Sequence, residues 1–89
     1  MPEREYLRAE QDGFIFRFYA DDDGELHIAN RHGTSIQEAI DTFFAGEQSA
    51  QPEHRRSASE TATHVLLWAW YANQPADHEV VIISCYRKE

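Results

Sequence analysis

Apolar and polar positions alternate with a period of two from Phe14 to Tyr19. Phe14, Phe16 and Phe18 are interleaved with Ile15, Arg17 and Tyr19, the signature of a β-strand with the three phenylalanines on its core face. Asp21-Asp22-Asp23-Gly24 follows, and its Asp-Gly step favours a tight hairpin because both residues tolerate positive φ. Glu25–Ala29 is therefore expected to return as a second strand, with Leu26 and Ile28 inward. At Ser35 the period changes to 3.6. Ile36, Ala39, Ile40, Phe43 and Phe44 form one helical stripe, which packs on a sheet far more often than it binds a ligand. Ser35 at the N-cap with Glu38 three residues on predicts a capping box. Gly46 is placed to end the helix in the left-handed conformation.

The flanking segments are less regular. Pro2–Gln11 is polar with Tyr6, Leu7 and Ala9 scattered through it, and reads as a short helix or an edge strand. Glu47–Thr63 reads as a loop with a short helical turn near Glu53. The run THVLLWAWYA is apolar at nearly every position, as in a central strand covered on both faces. A turn at 73–77 and a last β-rich run, Glu79–Tyr86, complete an antiparallel pair. The prediction is a single domain over residues 1–89, of α+β class. It has a four- or five-stranded, mainly antiparallel sheet with one amphipathic helix packed on one face, in ββαββ order.

Composition bounds what such a domain does. Hydrophobic residues make up 42% of the chain, enough for one modest core, and the formal net charge is −8. A field of that sign repels polyanions and favours basic partners, although acidity also serves solubility alone. No apolar run approaches the roughly 20 residues of a membrane span. The polar N-terminus lacks a signal-peptide core, and a lone cysteine fits a reducing compartment; a cytoplasmic location is expected. Cys85, set in a hydrophobic strand, reads as a small buried residue rather than a nucleophile.

The chain has no Gly-rich phosphate loop, no His-Glu-x-x-His, no paired cysteines and no calcium loop. Its five histidines do not pair at i, i+4 on the helix, so neither a metal nor a cofactor is expected. What remains suits a metal-independent ribonuclease, which needs a proton acceptor, a proton donor and cations around the phosphate. His27, Arg31 and His32 lie before the helix; His54, Arg55 and Arg56 lie in the long loop; Tyr86, Arg87 and Lys88 close the last strand. Equally, the arginines could do no more than balance neighbouring acids.

The segment HIANRHGTSIQEAIDTFF, followed by HVLLWAWY and VVIISCYRK, resembles the BrnT-type toxins and related small proteins of the RelE-like superfamily. The resemblance covers roughly residues 26 to 88. It rests on His32-Gly33, Thr34-Ser35, Glu38-Ala39, Phe43-Phe44, and Ile83-Ser84 with Arg87. It implies a ribonuclease toxin of a toxin–antitoxin system; for such an enzyme the clusters above supply His32, His54 and Arg55 as candidates for catalysis and Arg31, Arg56 and Arg87 for holding phosphate. RNA would be its substrate and an antitoxin its protein partner. The alternative is a non-enzymatic acidic inhibitor or interaction module, such as a phage anti-defence or antitoxin-like protein. That module would dock Asp21, Asp22, Asp23 and Glu25 on a basic nucleic-acid-binding protein. A third option is a homodimer that covers an exposed sheet face carrying Trp68 or Trp70.

Overall fold

The computed structural model describes residues 4–88. Its elements in chain order are β1 (Arg4–Gln11), β2 (Phe14–Ala20), α1 (His27–His32), α2 (Ile36–Ala45), β3 (Glu47–Gln51), β4 (Arg56–Glu60), β5 (His64–Trp70) and β6 (Glu79–Arg87). The strands form one six-stranded sheet in the order β1-β2-β6-β5-β4-β3. Every neighbouring pair is antiparallel except β2 and β6, which run parallel through Ile15–Glu79, Phe16–Val80 and Arg17–Val81. The expected four- or five-stranded, mainly antiparallel ββαββ sheet with one helix is thus overturned. The sheet has six strands, is mixed, and carries two helices.

Three local facts account for the difference. The hairpin forms at the earlier Asp-Gly step, where Asp12 and Gly13 both take positive φ (52° and 84°) and join β1 to β2. Pro2–Gln11 is therefore an edge strand from Arg4 onward, while Pro2 and Glu3 lie outside the described residues. With β1 along one edge of β2 and β6 on Ile15–Arg17 of the other, only the end of that edge is left for Glu25–Ala29. That segment makes a single bridge, Ala20–Leu26, and then coils into α1. Leu26 and Ile28 still contribute to the core, Ile28 as the buried residue of that helix.

The polar stretch predicted as a loop from Glu47 to Thr63 is mostly a hairpin. β3 and β4 are joined by a 3-10 turn over Pro52–His54 and by Arg55 in the left-handed region. Small residues are needed here because α2 ends directly above. A Cβ on Gly46 would stand 2.9 Å from Ser59 Cβ and 2.8 Å from the Glu60 amide nitrogen. Close approach, not left-handed geometry, explains that glycine: its backbone is extended (φ −75°, ψ 151°), contrary to the expectation.

The α2 prediction holds. Ser35 Oγ accepts from the Glu38 amide and Glu38 Oε1 from the Ser35 amide, each at 3.1 Å, completing the capping box. Ala39, Ile40 and Phe43 are buried. The Phe43 ring meets Phe14, Phe16 and Trp68 at 5.3, 5.1 and 4.9 Å between centroids. Phe44, at the stripe's margin, is exposed. Phe16, Phe18, Leu66, Trp68, Val80, Ile82 and Cys85 supply the sheet side of this core. Both tryptophans belong to it, Trp70 packed against its margin, so neither stands on the uncovered face. Trp68 Nε1 donates to Ser59 Oγ at 2.9 Å, satisfying both buried groups. No described helix is long and apolar enough to cross a membrane.

Candidate functional site

The turn between the helices positions the chemistry. Gly33 adopts the left-handed conformation (φ 68°) and its amide donates to the Ala29 carbonyl, closing α1. Thr34, buried, donates its hydroxyl to the Cys85 carbonyl at 2.8 Å. That bond pins the junction to β6. Cys85 itself is fully buried, and burial pushes its thiol pKa up, so it is a packing residue rather than a nucleophile.

The loop before α1 brings a carboxylate to the helix. Asp21 Oδ1 lies 2.7 Å from His27 Nδ1, and Asp21 Oδ2 accepts from Asn30 Nδ2 at 2.8 Å and Arg31 Nε at 3.3 Å. His27, Asn30 and Arg31 stand at i, i+3 and i+4, so only a helix turns all three towards one acceptor. A strand would have divided them between two faces. The hydrogen bond from His27, with those from Asn30 and Arg31, holds the Asp21 carboxyl down to about 2. Because the carboxylate accepts at Nδ1, the neutral His27 ring keeps its proton there and presents Nε2 as the acceptor. Nε2 has no hydrogen-bond partner among the described residues. His32 stands beside it, ring centroids 6.0 Å apart, with the Tyr86 ring 5.8 Å beyond His32.

A second carboxylate–histidine pair lies on α2 and the last strands. Glu38 Oε1 accepts from Arg87 Nη2 at 2.7 Å, and Oε2 from Arg87 Nε at 2.9 Å. His64 Nε2 lies 2.8 Å from the same Oε2. Arg87, then His64 and the Ser35 amide, lower the Glu38 pKa to about 2. Both His64 nitrogens are occupied, Nδ1 by the Thr63 hydroxyl at 2.8 Å, so this pair is a strut rather than a free acid or base. Arg87 Nη1 lies 3.8 Å from where a Gly33 Cβ would stand and has no partner among the described residues.

The residues predicted to act therefore separate into two groups. His32, Arg31 and Arg87 meet at the α1–α2 junction, joined by His27 and Asp21. His54, Arg55 and Arg56 do not reach it. Arg56 pairs with Gln51 at the far end of the β3–β4 hairpin, and Ser57 lies opposite Trp68. Arg87 lies opposite His64, at the other end of β5. Five residues along the strands place the two groups roughly 16 Å apart in that direction alone. His54 and Arg55 sit exposed at the hairpin tip.

Of the acids predicted to dock, Asp21 is committed to His27, Asn30 and Arg31. Asp23 accepts from the Glu25 amide at 3.0 Å and from Asn30 at 3.1 Å. Asp22 and Glu25 are exposed and their side chains have no partner among the described residues. The Asp21–His27 dyad is the feature that reading by motif passed over. Its only trace in the sequence is the His-x-x-Asn-Arg spacing behind an acidic turn. No cluster of metal-ligating side chains occurs among the described residues. Comparison with known proteins returns no matching family model, curated protein or solved structure.

Proposed function

We propose that this chain is a RelE/BrnT-like toxin-fold protein that cleaves RNA without metal, using the α1–α2 junction as its acid–base site. The observation that carries the reading is the Asp21–His27 dyad with Nε2 free and His32 beside it. A carboxylate at Nδ1 sets the tautomer of an imidazole and stabilises its protonated form, as a general base requires. His27 would take the proton from a ribose 2′-hydroxyl as that oxygen attacks phosphorus, and His32 would protonate the departing 5′-oxygen. The products are a 2′,3′-cyclic phosphate and a free 5′-hydroxyl. Arg31, 65% exposed, and Arg87 Nη1 are the cations available to the phosphate oxygens. His54, Arg55 and Arg56 have no part in this version. The resemblance supports it too: Arg87, distant in sequence from His32-Gly33, Ser35 and Glu38, joins them through its pair with Glu38.

The test is cleavage of a defined RNA by purified protein in excess EDTA. Wild type should release 2′,3′-cyclic ends, and His27→Ala and His32→Ala should each lower the rate by 100-fold or more. Intact RNA with wild type, or undiminished cleavage by His27→Ala, sinks the proposal.

A second reading has its own support. Asp22 and Glu25 stand exposed and unpaired beside the junction, as they would in an acidic module docking on a basic protein. Under that reading Asp22→Lys with Glu25→Lys should abolish a complex that also dissociates between about 50 and 500 mM salt. RNA cleavage would be absent.

A further inference from the structure

Both helices lie on one side of the sheet, leaving the other side without a covering helix or sheet among the described residues, although Tyr71 lies over it at Arg17. Residues directly opposite across an antiparallel pair share a face. Val65, Leu67, Ala69 and Val81 therefore put a run of apolar side chains on the uncovered side, with Ser84 opposite Leu67, away from Leu66, Trp68 and Cys85 in the core. Tyr86, whose ring lies 5.8 Å from that of His32, is not counted in this run. Ile15 and Tyr19 of β2 extend that run past β6. We propose that this face packs against the same face of a second copy, forming a two-fold sheet-on-sheet dimer.

Charge selects a second copy as the occupant. The chain as a whole carries −8, yet its uncovered face is nearly balanced. Strand register puts Glu5, Glu10, Glu47, Glu60 and Glu79 there with Arg8, Arg17 and Arg56, and Lys88 joins them through its ion pair with Glu60. Most of these are already paired within one chain. Arg17, only 12% exposed, donates to Glu79 at 2.8 and 3.0 Å and to Glu5 at 3.3 Å, while its guanidinium lies 3.7 Å from the Tyr71 ring centroid. Glu5 also holds Arg8, and Glu60 holds Lys88. A two-fold axis would thus bring together internally neutralised ion pairs, not two acidic fields. A strongly basic partner would find its complement on the helix side instead, where Asp21, Asp22, Asp23 and Glu25 lie.

The size of the face is adequate. Six strands about 4.8 Å apart and about seven residues long give a footprint of roughly 650 Å². Side-chain relief raises the accessible area towards the roughly 800 Å² per partner that a stable interface buries. Two sheets packed about 10 Å apart would enclose the apolar strip as a second core. The contact is isologous, so it closes at two copies.

Sedimentation equilibrium tests it. At tens of micromolar the chain should run at twice its 10.3 kDa mass, and Leu67→Lys should halve that mass without altering the circular dichroism. Because the two copies carry like net charge, raising salt from about 50 to 500 mM should tighten the dimer threefold or more. A wild-type monomer at about 100 μM overturns the proposal. So does a dimer that persists in folded Leu67→Lys, or one that weakens with salt. If Leu67→Lys does not fold, Leu67→Thr and the wild-type salt series decide the matter.

Discussion

Arg87 grips Glu38 through two hydrogen bonds, Nη2 to Oε1 and Nε to Oε2, and so ties the last strand to the first turn of α2. The same carboxylate completes the capping box and meets His64. One side chain thus joins the helix start, β5 and β6. Glu38→Ala should cost about 1 kcal/mol of unfolding free energy, in the range for a lost cap with half-exposed ion pairs. Urea titration of the variant would measure it.

The same group predicts acid sensitivity. Its folded pKa, about 2, lies below its ordinary value of 4.5, so its stabilisation is complete above about pH 4.5 and is lost as pH falls through 2. Asp21, lowered from 3.8 to about 2 by His27, Asn30 and Arg31, acts with the same sign in nearly the same window. Melting temperature followed from pH 6 to pH 2 should drop mainly below pH 4.5. Glu38→Gln should flatten that drop, and an unchanged profile would show that the contacts do not persist in solution.

Asp21 also separates positioning from chemistry. Asp21→Asn leaves a hydrogen-bonding group beside His27 but no charge to stabilise an imidazolium. In the RNA assay it should lower the rate at least tenfold and alter the pH profile, whereas Arg55→Ala, at the hairpin tip, should leave both unchanged. Loss of activity in Arg55→Ala with Asp21→Asn unaffected would return the chemistry to the β3–β4 turn.

How much of this was legible follows from what each segment's neighbours demand. The α2 stripe, its capping box and strands β2, β5 and β6 are written in local periodicity, because those residues face one core. α1 was not legible. Its residues alternate well enough for a strand, and only Asp21, six residues before His27, together with the largely occupied edges of β2, makes a helix the better solution. β3 and β4 hid for the opposite reason. The inward positions of β4 are Ser57 and Ser59 because α2 approaches them, β3 is mostly exposed, and small or polar residues in such strands look like loop residues in a sequence. At the site, the chain announced His32 and Arg31 by adjacency. The partner that orients His27 lies across a turn, and the separation of Arg55 from Arg87 depends on sheet order.

The approach of α2 to β4 gives a packing prediction. Gly46→Ala places a methyl group 2.5 Å from the Thr42 carbonyl oxygen and under 3 Å from Ser59 and Glu60. Backbone must move, at a cost of roughly 1–3 kcal/mol. Thermal denaturation should show the loss, and a neutral result would mean that α2 stands further from the sheet.

Ser59→Ala tests the buried indole. The Trp68 Nε1 proton would lose its acceptor where the position is closed to water, costing about 1–3 kcal/mol. The substitution removes one oxygen, so a packing defect is a minor part. Unfolding free energy and tryptophan emission should change together.

The parallel pairing of β2 with β6 also governs the order in which the chain can fold. Phe16 and Val80 are neighbours in the sheet although 64 residues separate them in sequence. The β1–β2 and β3–β4 hairpins and the β5–β6 pair close over short distances and can form early. The docking of the first hairpin must wait for the largest loop in the molecule, whose closure carries the greatest chain-entropy cost. Until then β2 keeps an unpaired edge and a face of phenylalanines without part of its core. The step that buries it should set the folding rate, and stepwise loss of residues from Glu79 onward should release the N-terminal hairpin before it disturbs β3 and β4.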